Sequence, residues 1–138
     1  MSRIPRFQEH LKTGFTAEAA SAARFRAYAE RARQDGLTNL AERWLRLAAE
    51  KDRLAIDLLV AAEQVRGSDS DLGSAIAEDR YENDVLYPKM KRDVDAATGA
   101  AFDRVVTAQQ QHVQLLEALR REHTAAHGDV QKPVETAA

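Results

Sequence analysis

The chain has 138 residues, 44% of them hydrophobic and 30% charged, with a net charge of −2. That is enough for one compact domain, and it leaves no basic excess to attract nucleic acid or an anionic membrane. There is no cysteine, which excludes disulfides, thiolate catalysis, Cys-ligated zinc and an iron–sulfur or rubredoxin-type centre.

Few glycines and prolines interrupt the chain, so the predicted elements are helices. Residues 1–14 read as a lead-in containing Pro5 and closing at Gly14. The first helix is expected to start at Thr16, an N-cap with Glu18 in the first turn, and to stop at Asp35-Gly36. Thr38 or Asn39 caps the second, which runs to about Arg66. Residues 67–71, Gly67-Ser68-Asp69-Ser70-Asp71, form the clearest linker and cap the third helix. Pro88 must kink or end that helix, and Ala97-Thr98-Gly99 marks a further break. The fourth helix continues to about His123, and residues 125–138 are expected to form a disordered tail with no periodic apolar face. No apolar run reaches membrane-spanning length, and Met1-Ser2-Arg3-Ile4-Pro5-Arg6 has no hydrophobic signal region. The expectation is a cytoplasmic protein with neither membrane nor nucleic acid as partner.

Each helix carries an apolar stripe stepping by three and four. The stripes are Phe15, Glu18, Ala22, Phe25, Ala29, Ala32; Leu40, Trp44, Leu47, Lys51, Leu54, Leu58; Leu72, Ile76, Asp79, Asn83, Leu86, Met90; and Phe102, Val105, Gln109, His112, Leu116, Leu119. Residues so spaced share one face, so Glu18, Lys51, Asp79, Gln109 and His112 are expected to point into a common interior. Burying such groups is costly unless they pair or bind an ion. The segments 41–54 and 99–112 also keep one offset of 58, with Trp44 matching Phe102 and Lys51 matching Gln109. That repetition predicts a duplicated helical hairpin within an all-α, four-helix bundle.

The stretch 71–88, in which Ala75-Ile76 leads into Asp79 and Glu82 and then Tyr87-Pro88, resembles the third helix of the rubrerythrins, a family of ferritin-like di-iron bundles. Phe15-Thr16-Ala17-Glu18 and its run to Gly36 resemble that family's first helix, and the similarity extends over residues 15–124. The resemblance implies a ferritin-like bundle of two helical hairpins, usually a homodimer, in which carboxylates and histidines hold two irons. Carried over by position, it implies metal ligands at Glu18, Asp79, Glu82 and His112. Gln109 stands for a ligand glutamate, and Lys51 and Leu54 replace a Glu-x-x-His pair. Tyr87 matches a tyrosine beside the centre, and Phe25 lacks the hydroxyl the family often has there.

Three carboxylates and one ammonium cannot balance two iron ions. At an effective dielectric of about 20, each unit-charge repulsion a few ångströms from Lys51 costs about 4 kcal/mol. The expected cofactor is therefore none, with Lys51 standing where an ion was and pairing with Glu18 and a third-helix carboxylate. The expected function is a non-catalytic scaffold or small-ligand-binding protein. The alternative is a mononuclear oxidoreductase of peroxide or oxygen metabolism, holding one iron or manganese on Asp79, Glu82 and His112 and fed by an external electron donor. A ferritin-type storage assembly ranks last.

Overall fold

The computed structural model describes residues 6–133, all of whose regular structure is helical. Pro5 and the end of the expected tail lie outside the described residues. The chain divides into two units, Met1–Val65 and Arg66–Ala138.

In the first unit α1 (Arg6–Gln34) and α2 (Thr38–Ala61) pack antiparallel along each other. The helix α1 begins at Arg6, not Thr16, and runs straight through Gly14. A Cβ on Gly14 would lie 3.1 Å from Leu58 Cδ1, so this glycine admits a close neighbour from α2 rather than ending a helix. Thr16 bonds back through its hydroxyl to the Lys12 carbonyl at 3.1 Å, as threonine does inside a helix, instead of capping one. The C-terminus falls where the sequence placed it. Gly36 adopts φ +77°, Leu37 N–H donates to the Ala32 carbonyl at 2.8 Å, and Gly36 N–H donates to that of Arg33 at 3.0 Å. These two bonds satisfy the last free carbonyls and reverse the chain.

Neither Thr38 nor Asn39 caps α2. Leu37 holds that position, with no side-chain hydrogen bond. The helix stops at Ala61, short of Arg66, because Glu63 turns the chain at φ 59° and Gln64 N–H reaches back to the Leu59 carbonyl at 3.2 Å.

The packing between α1 and α2 also differs from the expected stripe. Ala41, Ala48 and Ala55, seven residues apart, are the buried row of α2, continued by Ala62 just past its end, and Ala22, Ala29 and Ala32 are the buried residues of α1, with Ala29 and Ala32 packed against Ala41. Leu40, Leu47 and Leu54, expected in the core, are 46%, 45% and 51% exposed. The reason is steric: methyl groups let two helix backbones come closer than leucines would. The α1 stripe holds, with Phe25 tilted against Trp44 at a ring separation of 5.0 Å.

In the second unit α3 (Ser68–Tyr81) leads into a π-helical segment (Glu82–Leu86), then α4 (Tyr87–Lys91), and α5 (Ala96–Ala126) packs antiparallel against them. Residues 68–71 are the first turn of α3 rather than a linker. Asp71 reaches back to accept hydrogen bonds from Arg66 N–H at 3.0 Å and Gly67 N–H at 3.4 Å.

Pro88 does not end the helix. The chain widens into a π turn just before it, where Tyr87 N–H bonds to the Glu82 carbonyl. The ring and missing N–H of proline are thereby absorbed without a break. The break comes at residues 92–95, ahead of the expected Ala97-Thr98-Gly99. Buried Gly99 lies in the first turn of α5, against the Lys91 stem.

Past α5, Gln131 N–H donates to Glu122 at 2.6 Å, so the chain just after Gly128 is tied to the helix it leaves.

Asp95 caps α5, accepting from Thr98 N–H at 2.8 Å. Hydrogen bonds from Thr98, side chain first and backbone second, hold the Asp95 carboxyl below its ordinary range. A carboxyl depressed on folding contributes stability above its unfolded pKa and loses it as pH falls through the folded value. The Thr98 amide signal is therefore expected to titrate with a midpoint below that of an aspartate in an unfolded peptide, with α5 fraying from its N-terminus in acid. A pH titration by NMR checks this, and a midpoint at or above the peptide value would contradict it.

The 58-residue offset reappears in burial. Ala41 and Gly99 are both buried, as are Ala55 and Val113; Lys51 and Gln109 are both half-buried, and Leu54 and His112 are both exposed. The repetition in sequence is thus a repetition in packing environment.

Candidate functional site

Candidate residues occur in both units. In the first, Glu18 comes from the middle of α1 and Lys51 from α2, between the buried Ala48 and Ala55. Lys51 Nζ lies 2.9 Å from Glu18 Oε2, with the side chains 32% and 26% exposed. That oxygen is out of contact with water, and its angle to the ammonium falls outside hydrogen-bond geometry. The contact is an ion pair held by charge rather than by an aligned hydrogen bond. At 2.9 Å the ammonium and the carboxylate attract each other strongly whatever the angle. Leu54, three residues on, is exposed.

In the second unit Glu82 projects from the π-helical segment and Gln109 from α5. Gln109 Nε2 donates to Glu82 Oε1 at 3.4 Å, a long and weak bond. The other Gln109 atom, Oε1, is buried without a partner, and so is Oδ1 of Asn83, a residue 7% exposed. Asn83 follows Asp79 by four residues on the buried stripe, and that spacing is the signal that singles it out. Asp79 is half-buried. His112 is exposed, against the expectation of an interior histidine, because the inner face of α5 at this level is taken by buried Val113. Tyr87 is half-buried, its ring 5.5 Å from that of Phe102.

These donors do not fit a two-iron centre. Glu18 is met by an ammonium, and a cation placed there would face repulsion of about 4 kcal/mol per unit charge at about 4 Å and an effective dielectric of about 20. Where the resemblance implies a ligand carboxylate, Gln109 offers a neutral amide already turned toward Glu82. Among the described residues, no three His, Asp or Glu side chains are grouped so as to hold a metal ion. Also among the described residues, no helix is long and apolar enough to cross a membrane.

Compared with known proteins, the sequence matches no family model, and no curated protein sequence is similar to it.

Proposed function

We propose that this chain is a rubrerythrin-like, ferritin-fold four-helix bundle of two helical hairpins that has lost its two-iron chemistry. It acts in the cytoplasm, as a homodimer, as a non-catalytic scaffold or small-ligand-binding protein. The single observation carrying this reading is the Lys51–Glu18 ion pair at 2.9 Å. An ammonium supplies in place the positive charge that a carboxylate on this stripe would otherwise need from a metal. The Gln109–Glu82 contact supports the same reading, since an amide in place of a second carboxylate removes the charge that a dication requires.

The test is elemental analysis of protein purified from iron- and manganese-replete medium, for the wild type and for His112→Ala. The expected content is far below one equivalent in both. One equivalent of iron or manganese in the wild type, lost in His112→Ala, would overturn the proposal in favour of a mononuclear metal protein. Two equivalents would overturn it in favour of an intact centre.

A further inference from the structure

We propose that the groove between α3 and α5 lined by Arg80, Arg120 and Arg121 binds a small ligand carrying a phosphate monoester. Its volume is about 540 Å³, within the range of small-molecule sites. Glu117, Arg120, Arg121 and Thr124 recur at three- and four-residue steps along one face of α5, and Ile76 and Arg80 supply the wall from α3. The lining holds three guanidiniums and one carboxylate, and with Asp69, the partner of Arg120, the local charge is +1, the sign that attracts the negative charge of a phosphate monoester. It stands out on a chain whose net charge is negative.

The arginines are held for the task. Arg80 is paired with Glu117. Arg120 donates through Nε and Nη2 to Asp69 at 3.0 and 3.2 Å, and that hydrogen bonding holds the Asp69 carboxyl below its ordinary range. A guanidinium has five N–H donors, and Asp69 takes two of those on Arg120. Arg121 makes no ion pair among the described residues. Planar forks of this kind grip phosphate oxygens two at a time, and the Thr124 hydroxyl adds a neutral donor.

A second, independent feature is Gly73. Glycine inside a helix costs stability relative to alanine, yet here a Cβ would lie 2.9 Å from Arg120 Nη1 and 3.2 Å from its Cζ. Gly73 is what lets the Arg120 guanidinium lie against α3.

This inference names a ligand class for the ligand-binding reading above. The groove shares no residue with Glu18, Lys51, Asp79, Glu82, Gln109 or His112, so metal analysis and ligand titration fail separately. The experiment titrates the full chain with inorganic phosphate, and with chloride at equal ionic strength, while following the arginine Nε–H NMR signals. Saturable shifts of Arg80, Arg120 and Arg121 are expected, with a dissociation constant of about 1 mM or tighter. Arg121→Ala should weaken binding about tenfold or more, and Arg121→Lys should restore part of it. Gly73→Ala should weaken binding while raising Tm, a split that a merely structural glycine would not give. Shifts that chloride reproduces, shifts that do not saturate, or wild-type affinity in Arg121→Ala would each overturn the proposal.

Discussion

Replacing Lys51 by methionine is expected to destabilise the protein by about 2 kcal/mol, between the near-zero value of an exposed pair and the 3–5 kcal/mol typical of a buried one. The position on that scale follows from side chains 32% and 26% exposed. The cost comes from what remains: the Glu18 carboxylate would keep an oxygen out of water with no cation beside it. The double variant Glu18→Leu, Lys51→Met removes both charges and should return to within about 1 kcal/mol of the wild type, since a well-packed apolar pair often matches an ion pair. Urea unfolding of the four corners of this cycle measures the coupling directly. A loss below about 0.5 kcal/mol in Lys51→Met would place the ammonium in effect in bulk water. The proposed function would then lose the observation it rests on.

That ion pair was legible in the sequence because charge and spacing are local quantities. A lysine at a stripe position can pair with a carboxylate at the same level of a neighbouring helix, and Glu18 is the carboxylate on the α1 stripe; the third-helix carboxylate expected as a second partner did not follow from that stripe. The Asp35-Gly36 stop was legible for the same reason, since a left-handed turn needs glycine whatever surrounds it. What stayed hidden depends on partners far along the chain. Gly14 looks like a break until Leu58 is seen against it, and Thr16 looks like a cap until the helix is known to have started earlier. The π turn before Pro88 has no compositional signature. His112 and Leu54 share a stripe with interior residues, yet both sit at its exposed edge. The stripes located the apolar side of each helix, but they could not tell which part of a wide apolar arc meets the neighbouring helix.

The alanine row is where that ambiguity has its largest energetic consequence. Ala41→Leu should destabilise the protein by about 3 kcal/mol, the upper end for overpacking. Ala41 is 0% exposed and packs with Ala29, Ala32 and the half-buried Trp44. Three added carbons have nowhere to go unless α1 and α2 separate, and separation would also weaken the contacts of the other alanines in the row. Leu54→Ala should cost less than about 1 kcal/mol, since half of that side chain is already in water. Ala49→Leu, on the exposed face of the same helix, controls for helix propensity and should stay within about 0.5 kcal/mol. A hydropathy reading of α2 expects the opposite order, with the leucine as core and the alanines as filler. Should Leu54→Ala cost 2–5 kcal/mol, as deleting a buried leucine does, while Ala41→Leu is tolerated, the packing register of α1 on α2 described above would be wrong, and the placement of Lys51 beside Glu18 would fall with it.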